Sequence, residues 1–193
     1  SSTDQNPTVC EPGAYQLTVT SLGNGCSTIT YAIVTQDITP PYIHVEGDAT
    51  LNCLVTSTPI TGFSTTPGVT YSWTGPNGFS SSSQTNDVSE PGVYTLTVYN
   101  PYNGCSSSAS VTIDQDITPP VVDVDVDGIL TCVNDYATIS ATSDVPSTFA
   151  WTGPNGYTSS NATNHVTEPG VYTVVVTNHY NHCTTTRYVT VLE

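Results

Sequence analysis

Three aspartates, Asp123, Asp125 and Asp127, alternate with valines. An extended chain sends alternate side chains to one face, so these carboxylates would line up together. With Asp116 just upstream they offer the clustered oxygens that a hard cation such as Ca²⁺ takes, and the ion would stiffen the junction there. The same row suits an exposed edge strand that charge protects from aggregation. Asp37, His44, Glu46 and Asp48 form a weaker set earlier in the chain. His179 and His182, three apart in a predicted turn, could share a metal and equally fit ordinary turn residues.

Six cysteines carry the second kind of chemistry. Cys26, Cys105 and Cys183 recur at intervals of 79 and 78, and Cys53 and Cys132 at 79. Such spacing reads as structural disulfides and an extracellular setting. The natural pairing is Cys53 with Cys105 and Cys132 with Cys183, one bridge per repeat. Each bridge would close a loop of about 50 residues, worth about 3–4 kcal/mol in the chain-entropy model. No Cys-x-x-Cys pair exists, which argues against metal ligation. Cys26 is left without its repeat partner, and Cys10 stands where the other repeats have Ser89 and Thr167. A strand of eight extended residues, roughly 25 Å long, separates these two, so a Cys10–Cys26 bond requires a rearranged N-terminus. A bond from Cys10 to another chain would mean covalent assembly.

Tyr71, Phe79, Tyr102, Tyr157 and Tyr180 fall near predicted apical turns. Aromatic faces with polar rims suit a carbohydrate-binding platform, and they also suit packing between neighbouring turns. Asn161-Ala-Thr163 is a formal glycosylation sequon. No enzyme is expected. There is no Gly-x-Ser-x-Gly elbow and no recognisable carboxylate pair, and His44 and His165 lie on or beside strands without counterparts in the other repeat.

The elements that must position these residues come from an internal repeat. Glu-Pro-Gly recurs at Glu11, Glu90 and Glu168, and Gln-Asp-Ile-Thr-Pro-Pro at Gln36 and Gln115. Trp73-Thr-Gly-Pro-Asn-Gly-Phe79 returns as Trp151 to Tyr157. Two complete repeats are expected, residues 37–115 and 116–193, preceded by the C-terminal half of another, residues 1–36. That half would expose its inner face and sheet edges, so its missing strands are supplied either by an upstream segment or by another chain. Strands are predicted at Tyr42–Glu46, Ala49–Thr56, Val69–Trp73, Phe79–Ser83, Asn86–Ser89, Gly92–Asn100 and Ser106–Ile113. Seven short strands with turns at this density predict an all-β fold of tandem immunoglobulin-like Greek-key sandwiches.

Glu90-Pro-Gly-Val-Tyr94 resembles the Asp-x-Gly-x-Tyr that opens the sixth strand of immunoglobulin-like domains. The resemblance implies that the hydroxyls of Tyr15, Tyr94 and Tyr172 close a corner onto upstream backbone. The Trp-x-Gly-Pro-Asn-Gly-Phe turn, the Glu-Pro-Gly-x-Tyr-Thr strand, the Asn-Gly-Cys turn and the Asp-x-x-x-Pro linker together resemble the tandem immunoglobulin-like repeats of large Bacteroidota surface adhesins. These are similar to SprB-type gliding adhesins and other type IX secretion cargo. The resemblance implies a bacterial cell-surface stalk, filament or adhesin, and carries over no catalytic residue.

Composition agrees with that reading. The 193 residues include 1 Lys or Arg against 16 Asp or Glu, a net charge of −15. Nucleic acids and anionic membrane surfaces are therefore excluded as partners, since both need cations on the protein. No apolar run approaches the roughly 18 residues of a spanning helix, so no membrane insertion is expected. The chain has 21 Ser and 35 Thr, many Val and Tyr, and no Met. It is expected to be a processed or excised piece of a longer protein. Neighbouring repeats or other copies of itself are the expected partners, with a surface or glycan target beyond them. The alternatives are a carbohydrate-binding accessory array and a filament subunit completed by strand exchange at its N-terminal half-domain.

Overall fold

The computed structural model describes residues 1–47 and 49–193. The first 36 residues make one antiparallel hairpin of β1 (Gly13–Thr20) and β2 (Ser27–Val34). Leu17 and Val19 face one side, Ile29, Tyr31 and Ile33 the other, and all five are exposed.

The first sandwich holds β3 (His44–Glu46), β4 (Leu51–Asn52), β5 (Thr58–Phe63), β6 (Thr70–Thr74), β7 (Ser80–Ser81), β8 (Thr85–Val88), β9 (Gly92–Tyr99) and β10 (Ser106–Ile113). Its two sheets run β3-β5-β8 and β10-β9-β6-β7. Alternation in β9 sends Tyr94, Leu96 and Val98 inward, against Ile60, Trp73 and Ile113. After a two-residue β11 (Gln115–Asp116) the pattern returns in β12 (Val122–Asp127), β13 (Ala137–Ser143), β14 (Ser147–Thr152), β15 (Thr158–Ser159), β16 (Thr163–Val166), β17 (Gly170–Asn178) and β18 (Thr184–Val191). Its sheets run β12-β13-β16 and β15-β14-β17-β18 around Trp151, Ile139, Tyr172, Val174 and Val176. Two antiparallel sheets facing each other with this Greek-key order make each unit an immunoglobulin-like sandwich.

The corner hydrogen bonds are present in all three copies. The hydroxyls of Tyr15, Tyr94 and Tyr172 donate to the carbonyls of Glu11, Glu90 and Glu168 at 2.7, 2.9 and 2.9 Å. The Trp-Thr-Gly-Pro-Asn-Gly turn exists to fit these rings. A Cβ on Gly75 or Gly153 would lie 2.5 or 2.4 Å from the ring of Tyr94 or Tyr172. Asn77 and Asn155, at φ 53° and 54°, take the left-handed conformation that asparagine tolerates. Phe79 and Tyr157 then stand edge-on to the two corner tyrosines, 5.2 and 5.3 Å between ring centres.

One strand expectation fails. Ala49–Thr56 is not the second strand of the sandwich; that role belongs to β5, and only Leu51–Asn52 is extended within the predicted stretch. Those two residues pair in parallel with β11, the linker to the next sandwich. Cys53 therefore lies in a loop at the end where the second sandwich begins.

Candidate functional site

A set of specific interactions outside the cores gathers at the junction between the sandwiches. Leu51 is buried and donates its amide to the carbonyl of Asp114, 2.9 Å away, which draws β4 onto the linker. The Asn52 side-chain carbonyl accepts the amides of Leu54 and Val55 at 2.9 and 2.7 Å, turning the chain so that Cys53 faces the second sandwich. From the other side comes the turn between β17 and β18. His182 at φ 58° tightens it, and its amide donates to the carbonyl of Asn178.

Asn181, 2% exposed, organises the contact. Its side-chain carbonyl accepts the Cys183 amide at 3.0 Å, and its Nδ2 donates to the linker carbonyl of Thr118 at 2.9 Å. Its backbone carbonyl accepts the Cys53 amide at 3.1 Å. Asp116 caps the same linker turn by accepting the Thr118 amide at 3.1 Å. That bond, and the side chain of Asn181, hold the Asp116 carboxyl below its ordinary range. The Thr185 hydroxyl donates to the carbonyl of Pro120 at 2.6 Å and fixes the linker's far end.

Across this junction runs a disulfide between Cys53 and Cys183, with Cα atoms 5.1 Å apart and a sequence separation of 130. The expected pairs Cys53–Cys105 and Cys132–Cys183 are thereby corrected. Cys105 directly precedes β10, while Cys53 sits by that strand's far end. Eight extended residues put roughly 27 Å between them, against the 7 Å between Cα atoms that a disulfide spans. Cys105 and Cys132 are free thiols, as are Cys10 and Cys26.

The remaining candidates scatter. Asp123, Asp125 and Asp127 lie on the exposed face of β12, an edge strand whose valines face the core. Alternate residues there stand roughly 6.6 Å apart, so the carboxylates form a row and not a cage. Asp116 is held in the linker turn, and among the described residues no three His, Cys, Asp or Glu side chains gather in metal-binding geometry. His44 and Glu46 stand 3.5 Å apart on an exposed strand, and Asp48 lies outside the described residues. His179 and His182 are both exposed in their turn.

The five aromatics do not make one platform. Tyr71 and Phe79 pack on the first core and Tyr157 on the second, at 3₁₀ turns or strands. Only Tyr102 and Tyr180 are exposed rings, each on its own sandwich's last hairpin turn.

Sequence reasoning missed Leu51, Asn181 and the crossing of the disulfide from one repeat to the next. A signal for the turn existed: Asn24, Asn103 and Asn181 each precede a cysteine by two residues.

No family model matches the chain, and no curated protein does. Among solved structures the chain is similar to the amphioxus IgVJ-C2 molecule, at 16% identity and a TM-score of 0.33, over 76% of this chain and 99% of that one. It is similar to Sidekick-1 immunoglobulin domains 1–5 at 13% identity and a TM-score of 0.39, over 96% and 47% of the two chains. Murine CEACAM1b matches at 11% identity and a TM-score of 0.33, over 78% and 98%.

Proposed function

We propose that this chain is a load-bearing segment of an extracellular tandem-repeat surface protein, a stalk or filament that projects an adhesive end. The observation that supports the reading is the Cys53–Cys183 bond, which crosses from one sandwich to the next. Pulling on the two chain ends loads residues 1–53, the disulfide, and residues 183–193. Everything from residue 54 to residue 182 lies inside the closed loop. If a sandwich opens under tension, its residues cannot pay out. At about 3.6 Å per extended residue, roughly 450 Å of slack stays locked. The paired β4 and β11 and the Asn181 bonds to the linker add stiffness between the units. A low-cation, Ser/Thr-rich surface fits exposure to solvent, and the repeat motifs resemble those of Bacteroidota adhesins carried by type IX secretion.

The test is to stretch single molecules held at residues 1 and 193, oxidised and reduced. The expected result is a full extension about 450 Å longer after reduction. Equal extension in both states would remove the mechanical reading. The strand-exchange alternative draws support from the uncovered faces of the β1–β2 hairpin. The sugar-platform alternative keeps only Tyr102 and Tyr180.

A further inference from the structure

The staple between the two sandwiches starts from a linker held on an Asn-x-Cys turn, and the first sandwich holds its own leading linker in the same way. Asp116 accepts the Thr118 amide and Asn181 donates to the Thr118 carbonyl. At the start of the first sandwich, Asp37 accepts the Thr39 amide at 3.0 Å and Asn103 Nδ2 donates to the Thr39 carbonyl at 3.0 Å. Thr185 bonds the carbonyl of Pro120, and Ser107 bonds that of Pro41 at 2.7 Å. The Asn103 side chain accepts the Cys105 amide at 3.0 Å, as that of Asn181 does for Cys183. Cys105 therefore stands toward the β1–β2 hairpin as Cys183 stands toward the first sandwich, and it is a half-buried free thiol.

The hairpin carries a cysteine at the matching end. Gly13 of β1 pairs with Val34 of β2, and both Cys10 and the linker's Asp37 lie three residues beyond that pair. The Tyr15 hydroxyl ties the approach to β1 by bonding the Glu11 carbonyl. Cys10 takes the place that Ser89 and Thr167 hold in the two sandwiches. In the second sandwich Thr167 lines the same groove as Cys132, the repeat counterpart of Cys53. Position 10 thus belongs to the rim from which the first sandwich reaches the Cys183 turn. The chain around Cys10 belongs to no strand, so this residue can turn toward the linker without breaking a ladder.

The other cysteines do not compete for Cys105. Cys53 and Cys183 are bonded to each other. Cys26 lies at the opposite end of the hairpin, the eight residues of β2 or roughly 27 Å away. Cys132 lies beside Leu130, whose amide bonds the Leu192 carbonyl at the far end of the second sandwich. We propose that Cys10 and Cys105 form a second staple, a disulfide that ties the N-terminal hairpin to the first sandwich. The two thiols lose two hydrogens to a disulfide oxidant such as oxidised glutathione, which leaves as two reduced glutathiones. The bond gives a use to the one cysteine that has no counterpart in the other repeats. The inference deepens the load-bearing reading and rests on it for its purpose, yet the two fail separately. The direct chain from Cys10 to Cys53 stays the shorter path under load, so the extension of single molecules does not depend on this bond.

The experiment incubates the 193-residue chain, with its Cys53–Cys183 bond intact, at low concentration in a glutathione redox buffer. Remaining thiols are blocked with N-ethylmaleimide, and intact mass and mapped cross-links are read without reductant. The expected result is a monomer that takes up two blocking groups where its free thiols Cys10, Cys26, Cys105 and Cys132 would take four, with Cys10–Cys105 as the new linkage. Cys10→Ser and Cys105→Ser should each take up three, and Cys26→Ser should keep the linkage. A chain that still takes up four, a Cys10–Cys26 bond, Cys10 or Cys105 left as a mixed disulfide with glutathione, or a Cys105 linkage to a second chain would each overturn the assignment.

Discussion

Cys53 and Cys183 sit on different sandwiches, 5.1 Å apart at Cα, and a disulfide joins them. Cys183 is buried and Cys53 is exposed. The bond therefore belongs to the junction and not to either core. Stability in such an array is a sum of unit terms and neighbour terms, and this bond enters the neighbour term.

The Cys183→Ser variant should separate the two terms. Each sandwich keeps its own core, so amides of Val98 and Val176 should stay protected from hydrogen exchange. The Cys53 amide, bonded to the Asn181 carbonyl, should lose protection, because local opening no longer stretches a covalent bond. Loss of protection throughout both cores would show that the units do not fold independently.

Gly153→Ala should destabilise the second sandwich alone. The added methyl would start 2.4 Å from the Tyr172 ring, which is locked in the core by its corner hydrogen bond. Overpacking of this kind costs about 1–3 kcal/mol. Urea unfolding read by Trp151 in a Trp73→Phe background should show a lower midpoint, while a Trp151→Phe background should report an unchanged first sandwich.

High pH should loosen both sandwiches through their corner tyrosines. Burial, and then nearby negative charge, raises the Tyr94 and Tyr172 hydroxyls above their ordinary value of 10.0. A raised value means the folded state favours the neutral phenol. The resulting stability is fully present below about pH 10 and is lost as pH climbs through the folded values. Urea midpoints measured from pH 8 to 12 should fall at the alkaline end. Tyr94→Phe with Tyr172→Phe should flatten that fall and lower stability near neutral pH by about 1 kcal/mol per lost hydrogen bond.

Low pH should act on the linker. The Thr118 amide, and then Asn181, hold the Asp116 carboxyl below its ordinary 3.8. The stabilisation is present above that value and disappears as pH falls through the lowered one. Titration by NMR should show the Thr118 amide shifting at a pH below the ordinary aspartate value of 3.8, and Asp116→Asn should abolish the shift.

The strands that were legible in the sequence are those whose local pattern and tertiary role agree. β9 alternates over eight residues, β10 does so after an Asn-Gly turn, and the corner tyrosines follow Glu-Pro-Gly three times. β5 was not legible. Pro59 and Gly62 both argue against a central strand, yet Gly62 is demanded there because a Cβ would strike the Leu96 side chain at 2.3 Å. The second sandwich has Thr138 and Ala141 at these places, where its own packing allows a side chain.

The period and the all-β composition were determined by the sequence alone, because each is a local pattern that recurs. The partner of each cysteine was not. A periodic chain offers Cys53 an equivalent cysteine in its own repeat and another one repeat later, and spacing treats the two alike. Only strand direction separates them. β10 carries the chain away from Cys105 to the opposite end of the sandwich, where the linker delivers the next unit's hairpin turn to Cys53. A disulfide reaches only a few ångströms, so the choice is made by which ends of two folded units meet.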